Sequence, residues 1–305
     1  MSGAQATRRG LALGSRPRRS RRLSFWRSRR TMEAVMRVAA TLIVIACSAI
    51  IIAPALWMVS TSLKTRPETI IFPPRLLPEA PQWGNYPEAL TFLPFARYFR
   101  NTATIVLVVM LGDVLSNSVI AYAFARLRAP GRELLFTLVL STMMVPYQVL
   151  MIPQYVLFHR LGWIDTYKPL TVPAWFGSAF LIFLLRQFYR AIPQEMDDAA
   201  RIDGCGYIST LVRILLPLSK PAISCAAIFS FTYKWNDFLA PLIYINSQDK
   251  LTVAVGLSYF THRYGATPWN LLMAASITTV MPCVLLFFFA QKYFIQGIVI
   301  SGVKG

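Results

Sequence analysis

The sequence predicts an all-α integral membrane protein with six transmembrane helices. Three observations carry that prediction. Of the 305 residues, 55% are hydrophobic and only 14% charged, against about a quarter charged in a soluble domain. Several apolar runs reach the roughly 20 residues a helix needs to cross a bilayer. One long polar interval, residues 192–223, divides these runs and carries helix and turn signals of its own.

In order, residues 1–32 form a basic tail, expected to be disordered, and residues 33–305 a membrane domain. Apolar segments follow at about 35–60, 102–125, 134–158, 169–188, 221–245 and 271–294. Pro146 and Pro153 in the third segment, and the prolines of the fifth and sixth, predict kinks, tolerated in membranes where neighbours re-satisfy the freed backbone groups. In the second segment Gly112 and Ser116 are four apart, and Ala121 and Ala125 repeat the interval. Small residues at that spacing let helices pack closely in lipid.

The net charge of +18 is concentrated, with ten arginines in the first thirty residues. An excess of basic residues marks the cytoplasmic side, and six spans return the chain to that side. Both termini, the basic loop Arg126-Leu127-Arg128-Ala129-Pro130-Gly131-Arg132 and the polar interval are therefore expected in the cytoplasm. The tail suits contact with anionic lipid; no aromatic-rich domain follows it to support a nucleic-acid partner. The N-terminus does not read as a secretory signal: its basic region is too long and no Ala-x-Ala site follows.

Catalytic chemistry is not expected. Cys47, Cys225 and Cys283 lie in apolar segments and Cys205 in the polar interval, with no metal-ligand spacing and no disulfide framework. His159 and His262 are isolated. There is no G-x-x-x-x-G-K-[ST] phosphate loop, so the chain should bind no cofactor and not hydrolyse ATP itself.

The polar interval reads as helix, elbow, helix. Pro193 opens the first helix, and Glu195, Asp197 and Asp198 occupy its first turn, where the dipole favours negative charge. Asp197 and Arg201, four apart, can pair on the surface. Met196, Ala199 and Ala200 are expected to share one face. Gly204 and Gly206 break the helix. A second, amphipathic helix runs from about 207 to 215 and is expected to stop at Pro217.

Asp198-Ala199-Ala200, then Gly204, Ile214 and Leu216-Pro217, keep every spacing of the EAA loop of ABC importer permeases, which this interval resembles; Asp replaces the family's Glu. Further stretches resemble its carbohydrate-uptake, maltose-type branch. They are Ala121-Tyr122-Ala123-Phe124-Ala125-Arg126-Leu127, Met144-Val145-Pro146 with Ile152-Pro153, Leu161-Gly162 with Asp165-Thr166-Tyr167, Arg186-Gln187-Phe188, Trp235-Asn236-Asp237-Phe238 with Pro241-Leu242, and the ending Gly297, Gly302-Val303-Lys304-Gly305. The resemblance covers about residues 38–305. It implies a type I importer permease fold in the cytoplasmic membrane of a bacterium or archaeon. Its partners would be a second permease subunit, two ATPase subunits that use ATP and Mg, an external binding protein and a sugar. The loop that would dock the ATPase contains Glu195, Asp198, Ala199, Ala200, Arg201, Asp203, Gly204, Ile214, Leu216 and Pro217. A solute such as a glycerophosphodiester, or a stand-alone secondary transporter, are the alternatives; the latter leaves the loop unexplained and shows no internal repeat.

Asp113 and Asn117 in the second segment, and Lys234, Asn236 and Asp237 in the fifth, are polar groups where a charge costs on the order of 3 kcal/mol unless it is paired or faces a cavity. Lys234 and Asp237, three apart, are either a structural pair or part of a solute path. On the second reading Trp235, Asn236 and Asp237 offer an aromatic face, an amide and a carboxylate to a polyol, with Lys234 and Asn117 beside them.

Overall fold

The computed structural model describes residues 29–262 and 267–302, so most of the basic tail and the ending Val303-Lys304-Gly305 lie outside the described residues. The described residues form helices and turns, with no strand. Two compact units divide between Leu56 and Trp57. The first is carried by helix α1 (Arg29–Ser62), which begins inside the stretch assigned to the tail.

In the second unit, α2 (Asn85–Phe92) precedes α3 (Phe95–Arg126), an unbroken helix of 32 residues. Then come α4 (Arg132–Ser141) and α5 (Tyr147–Arg160). A short α6 (Lys168–Thr171) passes through a 3-10 turn (Val172–Phe176) to α7 (Ala179–Ala191). The polar interval holds α8 (Glu195–Ile202), then α9 (Tyr207–Thr210) joined to α10 (Leu216–Leu218). The chain ends with α11 (Lys220–Trp235), α12 (Leu239–Tyr244), α13 (Val253–His262) and α14 (Trp269–Gly302).

Among the described residues, four helical stretches are each long and apolar enough to cross a membrane, Met32–Ser62, Phe95–Arg126, Lys168–Ala191 and Trp269–Gln291; six are reached if each of two bent pairs counts as one span. The third predicted segment is thus not a kinked helix. It is α4 and α5 set at 96°. Val145 and Pro146 are both extended (ψ 114° and 139°), because a residue before proline is pushed out of the helical region. The fifth segment also breaks: α11 ends at Trp235, and Asn236, Asp237 and Phe238 separate it from α12. At its other end α11 meets the preceding helix at 84°.

Helix α3 is the hub. Ile105 and Val109 belong to a core with Tyr244, Val253, Phe260 and Ala274, while Ala121 and Tyr122 belong to a second core with Leu185, Tyr189, Leu215 and Ala226. Gly112 and Ser116 do permit close approach, though to the 3-10 turn. A Cβ on Gly112 would meet the Trp175 ring at 2.7 Å, and Ser116 Oγ donates to the Ala174 carbonyl at 3.1 Å.

Beyond the far end of α3 the loops are stapled by polar contacts. Asp165 sits in the left-handed region (φ 59°). Its carboxylate accepts from the Asn246 and Ser247 N–H groups (3.0 and 2.9 Å), from Ser247 Oγ (2.5 Å) and from Lys250 Nζ (2.8 Å). The Lys250 ammonium and Ser247 hold its carboxyl well below the usual carboxylate range. A depressed folded-state value gives stability that is present above the unfolded value near about 3.9 and lost as pH falls through the folded value. Asp165→Asn tolerates the same backbone and removes only the charge. We expect it to lower the thermal unfolding midpoint at neutral pH, with the gap to wild type closing below about pH 4. A pH-independent gap would assign the loss to packing.

Candidate functional site

The elbow of the polar interval is a helix C-cap. The Cys205 N–H donates to the Ala200 carbonyl (2.8 Å) and the Gly204 N–H to the Arg201 carbonyl (3.0 Å), with Gly204 at φ 81°. That is the Schellman arrangement, which glycine alone adopts without Cβ strain. A Cβ on Gly204 would meet nothing within 4 Å, so the elbow is constrained by backbone conformation and open on its outer side.

The two faces of α8 differ from the sequence expectation. Asp197 and Ala200 point inward, whereas Glu195, Met196, Asp198, Ala199 and Arg201 are exposed. Asp197 is 4% exposed and pairs with Arg126 at the end of α3, Nε to Oδ2 at 3.0 Å, rather than with Arg201. Arg126 Nη2 also donates to the Ile192 carbonyl (2.8 Å). Arg201 lies over the Tyr207 ring instead, 5.3 Å from its centroid. The i,i+4 spacing permits a surface pair, but α8 turns its Asp197 face onto α3, where Arg126 is already desolvated.

Asp203 caps α8. Exposed Met196, Ile202, Tyr207, Ile208 and Val212 give the interval an apolar outer surface, with Ile202 87% exposed. Its inner surface is Leu211 and Leu215, buried in the second core, with Ile214 and Leu216 packed against that core. Pro217 does not end the helix, which continues to Leu218. Leu211–Leu215 is wound as a π-helix, and a π-turn accommodates the missing N–H and the proline ring.

A second arginine braces this end. Arg186 on α7, 3% exposed, donates through Nη2 to both Glu133 carboxylate oxygens (2.9 and 2.8 Å) and through Nε to the Phe124 carbonyl (3.1 Å). Its guanidinium lies 3.8 Å from the Phe136 ring centroid. Arg186 therefore ties α7 to α3 and α4, as Arg126 ties α3 to α8.

About halfway along α3 a cavity of about 710 Å³ opens between α3, α5, α7, α11 and α12. Its polar lining is Asp113, Tyr147, Gln148, Gln154, Ser178, Ser230, Tyr233, Lys234, Asp237 and Tyr244. Ser230 Oγ donates to Asp113 Oδ2 (2.7 Å). Lys234 Nζ pairs with Asp237 Oδ2 at 3.0 Å, and Asp237 Oδ1 accepts from the Ala240 N–H (3.3 Å) in the first turn of α12.

Of the sequence-predicted path, only Lys234 and Asp237 line this cavity. Trp235 is buried elsewhere: its ring stacks on Phe231 (5.3 Å) and its N–H donates to the Thr279 carbonyl (2.9 Å). Asn236 is exposed, its amide donating to the Thr232 carbonyl (2.8 Å). Asn117 is fully buried and committed: Oδ1 accepts from the Ser178 N–H (2.7 Å) and Nδ2 donates to the Asp113 carbonyl (2.6 Å). The trio separates because α11 ends within it, sending consecutive residues in different directions. The residues that reasoning from charge passed over are Tyr147, Gln148, Gln154, Ser230 and Tyr233. The signal was present as two glutamines inside an apolar segment.

Apolar helices of membrane-crossing length, two of the spans broken, around a polar cavity and with a braced helix–elbow–helix at one end, are the features of a multi-pass membrane protein. Residues 117–300 match the family described as the binding-protein-dependent transport system inner membrane component. The chain is 31% identical over 277 residues to a trehalose/maltose transport system permease protein of Thermococcus litoralis, covering 90% of this chain and 99% of that one. It is 33% identical over 236 residues to an sn-glycerol-3-phosphate transport system permease protein of Pectobacterium atrosepticum, covering 75% and 84%. Its fold is similar to that of a bacterial ABC transporter involved in the import of the acidic polysaccharide alginate, with TM-score 0.75 at 21% identity over 88% of this chain and 98% of that one. The chain belongs to the binding-protein-dependent transport system inner membrane component family, and is a permease subunit of an ABC importer rather than an enzyme.

Removing one partner of a buried ion pair costs about 3–5 kcal/mol, while an apolar pair of similar volume is often neutral. Asp197→Leu alone should therefore lower the thermal midpoint of the purified protein markedly, and adding Arg126→Met should recover most of the loss. No recovery in the double variant would show that the Arg126 bond to the Ile192 carbonyl, rather than the ion pair, holds α8.

Proposed function

We propose that the chain is one of two permease subunits of an ATP-driven sugar importer in the cytoplasmic membrane of a bacterium or archaeon. Solute arrives from an external binding protein. Two ATPase subunits, which hold ATP and Mg, dock on the outer face of 195–212. Both termini and the docking interval face the cytoplasm.

The cavity is the observation that carries the substrate class. Its walls offer amides, hydroxyls and aromatic rings, the groups that hydrogen-bond and stack on a polyol. Among the described residues its single ammonium, Lys234, is already neutralised by Asp237, and no arginine lines it. An anionic solute would find two carboxylates and no free cation, so the lining supports a neutral sugar over a glycerophosphodiester. The motion is mechanical: ATP closes the ATPase dimer, α8 follows, and the braces at Arg126 and Arg186 pass the displacement to α3, α4 and α7.

Two experiments test this. In vesicles holding the complete transporter, Lys234→Met with Asp237→Leu should assemble normally and lose most sugar uptake, whereas Asn236→Ala should leave uptake within about twofold, since only the former pair faces the cavity. Normal uptake by the double variant would remove the pair from the path. At the elbow, Gly204→Ala should cost roughly 1–2 kcal/mol from the left-handed backbone alone and retain transport. Gly204→Trp should insert normally and fail to couple ATP hydrolysis to uptake; full transport by that variant would sink the docking assignment.

A further inference from the structure

Below the arginine braces a second cleft, of about 650 Å³, opens between the end of α3, the turn at 127–131, the end of α7 and the approach to α8. Four guanidiniums reach it, from Arg126, Arg128, Arg132 and Arg190, against one carboxylate, Glu195. Two of the four are committed. Arg126 holds Asp197 and the Ile192 carbonyl. Arg132 donates to the Leu127 carbonyl (2.9 Å) and pairs with Glu133 (2.9 Å), a carboxylate that Arg186 shares. Arg128 and Arg190 are exposed and make no ion pair or side-chain hydrogen bond with the described residues.

The backbone fixes where these two sit. Arg128 is in a turn set by Pro130 and by Gly131 at φ 74°, and Arg190 is in the last turn of α7. Both therefore stand at the ends of helices long and apolar enough to cross a membrane, Phe95–Arg126 and Lys168–Ala191. A planar guanidinium offers a fork of donors matched to phosphate oxygens, and two uncommitted forks across one cleft, beside two partly neutralised ones, leave a net positive hollow for such a group.

We propose that this cleft binds a phosphate group, carried either by the headgroup of an anionic phospholipid or by a free phosphate ion. A phosphate bridging Arg128 and Arg190 joins the α3–α4 turn to the end of α7. It also lies against residues 192–195, the lead-in to α8, so occupancy stiffens the mounting of the docking interval. The cytoplasmic side of the site rests on the orientation proposed above; the phosphate chemistry does not.

The test uses the purified complete transporter in a neutral detergent. Its thermal unfolding midpoint is followed during titration with short-chain phosphatidylglycerol, short-chain phosphatidylcholine and inorganic phosphate. We expect phosphatidylglycerol, inorganic phosphate or both to raise the midpoint saturably, phosphatidylcholine to act far more weakly, and Arg128→Gln with Arg190→Gln to weaken the response at least about tenfold, as expected for losing charge-assisted hydrogen bonds. A response to phosphatidylglycerol alone assigns a lipid site, and one to inorganic phosphate an ion site. No selective response, or a full response in the double variant, overturns the proposal. The arginine tail is present in both proteins and cancels. Co-purification of the ATPase subunits reads the docking proposal separately, so loss of those subunits with an intact phosphate response sinks docking alone.

Discussion

Everything in the membrane unit is referred to one unbroken rod, α3. A helix in lipid must satisfy its own backbone, and α3 does so for 32 residues without proline or break. Its neighbours do not: the third, fourth and fifth predicted spans are interrupted near Pro146, Gly177 and Asn236. The fourth and fifth of these spans lean on α3. Asn117 receives the Ser178 N–H, Asp113 receives the Ser230 hydroxyl, and the Gly112 surface accepts the Trp175 ring. Continuity in one helix is what permits irregularity in the others.

The same rod carries the cavity and the brace. Asp113 faces the cavity and Arg126 grips Asp197 thirteen residues later, a rise of about 20 Å along one axis. One continuous helix between them joins the α8 brace to the cavity wall without an intervening loop. Buried ion pairs contribute little net stability compared with apolar packing. Arg126 and Asp197 are better understood as fixing direction, since one guanidinium both pairs with the Asp197 carboxylate and donates to the Ile192 carbonyl.

The overall architecture was largely legible in the sequence, because apolar runs near 20 residues report membrane crossing directly and the fixed spacing from Asp198 to Pro217 pointed to the family that the chain belongs to. What was not legible depends on direction in space. Asp197 has an equally good partner four residues on, and nothing in the local sequence says that its side of α8 is buried. Trp235, Asn236 and Asp237 look like one constellation until the helix ends among them. Pro146 announces a disturbance without its size, since a proline inside a transmembrane helix gives anything from a mild kink to the observed 96° bend. The helices α2 and α13 carry too few residues to stand out against the loops that hold them.

The breaks at Pro146 and Gly177 have one more consequence. They place the first turns of α5 and α7, with Gln148, Ser178 and Phe180, in the cavity wall. The first N–H groups of a helix have no partner within it. Part of the cavity wall is therefore main chain, and the composition of that part is immune to side-chain substitution. A wall built this way can drift in side-chain composition while its backbone frame stays the same, which is one physical route by which a single architecture can vary chemically between lineages.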